Sequence, residues 1–458
     1  MQTLQRILPL LCALLTGGCT AKATFAPLKP SNLPLPPGFE VRFNQRQDTA
    51  YRSPVDGRNR PGENLEQLVI ETIRSARQEV LVAVQELSLP GIAKALVERH
   101  RAGVAVKVVV ENIYRQPWSL QQPAGLNPHQ QQRLLQLRAL GGEDAMALLA
   151  GAAVPVIDDR EDGSAGSGLM HHKFVVVDRQ VLVVGSANFS SSDMHGDADA
   201  PSTRGNVNHL LRIHSSALAA IFADEFNRLW GDGPGGSSNS LFGLDKQEGA
   251  AQEVDVSGTP VKVLFAPHKR SDPNNGLALL QQVIAGAQQS IDMALFVFSA
   301  QELSDGLAAR AKAGVKLRVL VDPGFASRSY SEMLDLMGIV LPNRNCKIES
   351  ANRPWAGQLA QMVRAGSPKL AAGDKLHHKL AVIDAKTVVS GSFNWSPSAA
   401  TRNDETLMVI ESPLLAAHFS REMERLWSSA ELGPSRQLER KRQQVQRHCG
   451  QGIPADKA

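Results

Sequence analysis

Apolar and polar positions run along this chain in two matching series. Residues 65–73 are apolar at helical spacing, and a β-branched run follows at 80–84. A helical pattern over 91–101 and a second strand pattern over 104–110 come next. The same order returns as a helix at 279–284, a strand at 291–297, a helix at 302–312 and a strand at 315–321. Ala102-Gly103-Val104 and Ala313-Gly314-Val315 hold the same place in the two series, 211 residues apart. Each half then adds a pair of apolar runs, 174–177 with 181–184 and 380–383 with 388–390, and a helix ending in Leu229-Trp230 or Leu426-Trp427. Near-continuous apolar strands joined through helices predict an α/β fold, with largely parallel sheets covered on both faces.

The flanks read differently. Residues 1–18 carry one charge, Arg6, and an apolar run too short to span a bilayer, which predicts a secretory signal peptide. Leu15-Thr16-Gly17-Gly18-Cys19 is similar to a bacterial lipobox, which makes Cys19 a candidate for lipidation and the protein an exported, periplasmic or membrane-anchored lipoprotein. Residues 19–62 are proline-rich and polar and predict an extended tether. The remaining divisions are a first repeat over 63–232, a flexible linker over 233–258, a second repeat over 259–430 and a basic tail over 431–458. Cys346 and Cys449 form an even pair, open between a disulfide that ties down the tail and two free thiols. A net charge of +4 does not suggest a dedicated nucleic-acid binder.

The chemistry lies at the strand ends. His171-His172-Lys173, Asp178, Gly185-Ser186 and Asn188 are repeated as His377-His378-Lys379, Asp384, Gly391-Ser392 and Asn394. The offset is 206 from the first histidine to the asparagine, so the motif H-x-K-x4-D-x6-G-S-x-N contains no insertion. On a strand, residues i and i+2 share a face, so His171 stands with Lys173, His377 with Lys379, and each serine with its asparagine. Of these groups only histidine is a nucleophile or proton donor near neutral pH; the others are donors suited to phosphoryl oxygens. Asp178 and Asp384 have the opposite parity and read as structural, together with Gly185 and Gly391.

This repeated motif resembles that of the phospholipase D superfamily, over roughly residues 63–430. The resemblance implies two tandem α/β repeats packed as a pseudo-twofold pair around one active site. It further implies a phosphohistidine intermediate, no cofactor and no metal. Family roles fall on His171, Lys173, Asn188, His377, Lys379, Asn394 and Glu405 as catalytic residues, with Ser186, Ser392 and Asn208 as substrate ligands. The expected activity is a phospholipase D-type phosphodiesterase acting on phospholipid headgroups, as a monomer. A metal-independent nuclease, a cardiolipin-synthase-like transferase and a non-catalytic binding module are the alternatives.

Beyond the motifs the offset changes. Phe222 and Trp230 match Phe419 and Trp427 at 197, so the first half carries nine extra residues near Asp193, His195, Asp197 and Asp199. These residues suggest either a metal site or, preferably, a polar loop at the rim. The same offset sets Asn208 against Glu405. Family members carry an acid here that bonds the catalytic imidazole. This predicts Glu405 on His377, which would then be the general acid, while Asn208 would leave His171 as the nucleophile. The divergent segments 112–159 and 324–372, with Arg115, Trp118, Arg328, Tyr330 and Trp355, are expected to shape the substrate groove.

Overall fold

A computed structural model describes residues 33–139, 142–160, 168–197 and 200–450. The signal-peptide segment, Cys19 and Asp199 lie outside the described residues. In the first half the strands are β1 (Phe39–Phe43), β2 (Ala50–Arg52), β3 (Asn59–Pro61), β4 (Glu79–Val84), β5 (Ala105–Val110), β6 (Val156–Asp158), β7 (Lys173–Val177), β8 (Val181–Gly185) and β9 (His209–His214). The second half supplies β10 (Gln252–Val256), β11 (Thr259–Ala266), β12 (Ser290–Leu295), β13 (Lys316–Val321), β14 (Val363–Ser367), β15 (Lys379–Ile383), β16 (Thr387–Gly391), β17 (Glu405–Glu411) and β18 (Glu431–Leu432).

The order β9-β8-β7-β4-β5-β6 in one sheet is matched strand for strand by β17-β16-β15-β12-β13-β14 in the other. These are the two α/β repeats with mixed sheets that the sequence leads one to expect. Parallel pairing is confined to the strand–helix–strand units, β4-β5-β6 and β12-β13-β14. The remaining pairs are antiparallel, because tight turns such as the one between Val177 and Val181 cannot make a parallel crossover.

Alternation along each catalytic strand feeds two cores. Phe174 and Val176 with Leu380 and Val382 enter a central core that both sheets share with helices Ser216–Trp230 and Pro413–Trp427. Val175 and Val177 instead face an outer core under helices Leu65–Arg74 and Pro90–Arg101. Ala381 and Ile383 do the same under Gly276–Gly286 and Gln301–Lys312.

Three boundaries need correction. The supposed tether contains β1, which pairs with β9 and occupies the place that β11 has beside β17. Its alternation, with Phe39, Val41 and Phe43 inward and Glu40 and Arg42 less buried, is a strand pattern hidden by the prolines around it. The supposed linker contributes β10 and a fully buried Lys246, ion-paired to Glu225, Glu248 and Asp404. The tail forms β18 against β14 and the helix Arg436–Cys449. That helix is tied down by a Cys346–Cys449 disulfide, with the Cα atoms 5.4 Å apart. No helix among the described residues is long and apolar enough to cross a membrane.

Candidate active site

The two motifs meet because each strand entry is zipped to the opposite repeat. Met170 bridges to Asp404 and Leu376 to Val207. The His171 backbone N–H donates to the Asp404 carbonyl at 3.0 Å, and that of His377 to the Val207 carbonyl at 3.1 Å. The side chains cross as well. His171 Nδ1 donates to Glu405 Oε2 at 2.7 Å, and His377 Nδ1 to Asn208 Oδ1 at 3.0 Å. The orientation of the Asn208 amide follows from its nitrogen, which can only donate and faces two backbone carbonyls, those of Asp193 and Asn206.

This pairing corrects the expectation that Glu405 serves His377 and Asn208 serves His171. Glu405 begins β17 within its own repeat, but it points across the interface at which the strand ends abut. Sequence alignment of the repeats cannot distinguish partners in cis from partners in trans. Asn208, expected as a substrate ligand, is fully buried and bonded to His377.

Ser186 and Ser392 also differ from expectation. Each hydroxyl spends its single proton inside the protein, Ser186 on Asn208 Oδ1 at 2.8 Å and Ser392 on Glu405 Oε2 at 2.6 Å. They orient the groups that orient the histidines and do not present a donor to a phosphate. Asn188 and Asn394 behave otherwise: the side-chain oxygen of each is buried without a protein partner among the described residues. A half-turn of either amide exchanges that oxygen for the NH2 group, which puts donors at the same place.

Lys173 and Lys379 each donate to the carbonyl of their own motif histidine, at 2.7 and 2.8 Å. Burial pushes Lys173 down to about 8. Burial, with repulsion from Lys173, pushes Lys379 down to about 7. Burial and the two ammonium groups hold His171 well below the usual imidazole range. Burial raises the Glu405 carboxyl to about 7, against the pull of Lys173, Ser392 and Asn403. His377 is likewise depressed by burial and Lys379, while Asp193 opposes the shift. Burial and the neighbouring ammonium groups thus disfavour a charged imidazole in the free site, and a bound anion opposes both effects, favouring the proton on His377.

Asp178 accepts three backbone N–H groups at the start of β4, from Arg77, Gln78 and Glu79. Asp384 does the same for Gln288, Gln289 and Ser290 before β12. Both lie at the far end of the catalytic strands from the histidines. A Cβ on Gly185 or Gly391 would collide with the carbonyl of His209 or Thr406, so glycine lets the adjacent strands close.

Sequence reasoning overlooked a buried layer beneath the site. His172 bonds Thr406 Oγ1 at 2.8 Å and Glu225 at 3.0 Å; His378 bonds His209 at 2.9 Å and Glu422 at 3.1 Å. Burial alone would raise the Glu422 carboxyl, but Arg425 and His378 hold it well below the usual range. The signal was present: both motifs read H-H-K, and Glu225 matches Glu422 at the 197 offset.

The insert residues diverge. His195 is clamped between Tyr51 and Glu66 at 2.8 Å each, while Asp193 turns towards His377. Among the groove candidates, Trp118 lines a pocket of about 100 Å³ with Ile113, Tyr114 and Leu134. Trp355 is instead a core residue, donating to Ser304 at 3.2 Å.

Comparison with known proteins fits this geometry. A family model described as "Cardiolipin synthase, PLD-like domain" matches residues 69–230 and 280–427. The mitochondrial cardiolipin hydrolase of Xenopus laevis is 25% identical over 169 residues, 37% of this chain and 68% of that protein. The phospholipase D of Rickettsia prowazekii is 26% identical over 165 residues, 36% of this chain and 66% of that protein. Among solved structures, phosphatidylserine synthase from Haemophilus influenzae aligns with 86% of this chain and 89% of its own, with a TM-score of 0.51 at 13% identity. Relatives from other vertebrates and from an alga are likewise mitochondrial cardiolipin hydrolases. The mitochondrial cardiolipin hydrolases among these relatives overturn the expectation of a bacterial exported or lipid-anchored member. The short apolar segment and Cys19 suggested that reading by composition alone, which does not identify a compartment.

Proposed function

The chain belongs to the phospholipase D-like family and is a hydrolase of that family, and from this premise we propose that it cleaves the headgroup phosphodiester of a phospholipid through a phosphohistidine, with cardiolipin the first substrate to test. One observation carries the reading. Two buried histidines, each oriented by a residue of the opposite repeat, share a site with two lysines and two asparagines whose side-chain oxygens have no protein partner among the described residues.

His171 is the nucleophile. Its Nδ1–H is held by Glu405, which leaves the Nε2 lone pair for phosphorus and places a carboxylate beside the charge of the N–P bond. This keeps the role first expected of His171 but on a different ground, since the carboxylate belongs to His171 and not to His377. As the N–P bond forms and the P–O bond breaks, His377 Nε2 gives its proton to the departing alcohol. Water then attacks phosphorus, His377 takes its proton, and the N–P bond breaks to release a phosphomonoester. Lys173, Lys379, Asn188 and Asn394 hold the non-bridging oxygens through both steps. An alcohol in place of water would give transfer by the same route.

A lipid substrate is favoured by the apolar surface near the site. The pocket wall at residues 86–88 is hydrogen-bonded to Phe189, the neighbour of Asn188. Ile113, Leu120 and Leu135 are each half exposed or more in the adjoining segment. A nucleic-acid substrate is favoured by Phe296, whose ring lies 4.8 Å from His377 with Lys375 and Lys379 over it, an arrangement able to stack a base. The test is turnover of cardiolipin, phosphatidylcholine and single-stranded DNA in parallel, followed by acid-labile ³²P trapping on the protein. Cardiolipin cleavage with label lost only in His171→Asn is the expected result. Label on His377 would reverse the two roles, and cleavage of DNA alone would replace the substrate.

A further inference from the structure

We propose that Asp193, on the short helix Ser191–Met194 just ahead of the first repeat's insert, is the counter-charge of His377 and a positioning residue for the leaving-group proton. This rests on the two-histidine reading above. In the second repeat, Glu405 supplies a carboxylate to the opposite histidine, whereas its counterpart in the first repeat, Asn208, supplies only an amide. Counting from the equivalent residues Asn188 and Asn394, Asp193 stands where the second repeat has Ala399. Each repeat thus carries one acid and one uncharged residue at these two positions, in exchanged places.

The geometry gives the exchange a purpose. Asp193 Oδ2 lies 3.8 Å from His377 Nδ1, and the two side chains are only 3% and 9% exposed. Among the described residues no other carboxylate is ion-paired with His377. The Asp193 oxygens also accept the Asn188 backbone N–H at 2.7 Å and the Asn206 amide at 2.6 Å. The Asp193 carbonyl accepts the Asn208 amide at 3.1 Å, so the same residue sets the acceptor that holds the His377 ring.

The groups acting on His377 are otherwise Lys379, Lys173 and His171, with Glu405 and Asp322 facing the lysines. A protonated His377 with the two lysines carries three positive charges. Glu405 and Asp322 face the lysines, and Asp193 is the carboxylate that faces His377 itself. Without Asp193 the proton that His377 must donate would sit in an uncompensated cationic site.

The experiment separates this role from that of a loop staple. In Asp193→Ala, kcat should fall at least tenfold, and its alkaline limb should move down by about one pH unit or more, with KM changed less. The His377 ring resonance, followed by NMR in ¹³C-histidine protein, should titrate at lower pH than in the wild type. Adding Asn208→Glu moves the carboxylate to the position it has in the second repeat, and the double variant should regain the limb and most of kcat. Loss of activity with no movement of the His377 titration, or no recovery in the double variant, would leave Asp193 a staple and overturn the inference. Wild-type turnover in His377→Asn would instead remove the reading beneath it.

Discussion

Replacing Glu405 by glutamine isolates the charge that serves His171. The carboxylate takes the His171 Nδ1–H at 2.7 Å and the Ser392 hydroxyl at 2.6 Å on one oxygen, with Asn403 at 3.3 Å on the other. Glutamine has the same shape and keeps an acceptor for the first two, so the strand end and the ring orientation persist. Besides the charge, only the longer contact from Asn403 is lost, because the glutamine NH2 meets another donor there. Formation of the N–P bond makes the imidazole cationic, with its charge centred about 5 Å or less from the carboxylate. At an effective dielectric of about 20 this is worth about 3 kcal/mol. The charge-assisted hydrogen bond accounts for about 1 kcal/mol of the same quantity and is not added to it. A loss of about 3 kcal/mol slows phosphorylation of the enzyme about a hundredfold. The burst of nitrophenol from bis(p-nitrophenyl) phosphate in a single turnover measures that step directly. Thermal unfolding monitored by circular dichroism reports the fold. The expected outcome is a burst rate lower by about two orders of magnitude with no fall in melting temperature. A wild-type burst from a folded Glu405→Gln protein would refute the argument that this carboxylate stabilises charge on His171.

Other consequences follow from the same contacts. Lys246→Met leaves Glu225, Glu248 and Asp404 without their shared cation, and urea denaturation should show a loss of about 3–5 kcal/mol. Lys379 and Lys173, pushed down to about 7 and about 8, are charged only below those values. kcat/KM should therefore fall as pH rises from about 6.5 to 9, whereas kcat, reporting the anion-bound site, should fall at higher pH. Reducing the Cys346–Cys449 disulfide should expose helix Arg436–Cys449 to limited proteolysis while turnover is retained. An equally resistant tail would mean that the packing of Leu438 and the bond from Lys441 to the Ser327 carbonyl suffice to hold it.

Much of this protein was decided by local pattern. Continuous apolar runs beside H-x-K placed the histidines and lysines on shared strand faces, which depends only on residues near in sequence, and the fixed 206-residue offset disclosed the duplication. The alternation in FEVRF was equally legible, but prolines on either side hid β1. What the sequence could not decide is which repeat serves which histidine. Glu405 and Asn208 sit at equivalent places, and only the abutting strand entries, Met170 on Asp404 and Leu376 on Val207, send each across the interface to the other repeat's imidazole. The same tertiary contact turned Ser186 and Ser392 inward and carried Asp193 from a polar loop to the side of His377. Pairing between duplicated halves is a property of their packing, and no spacing within either half encodes it.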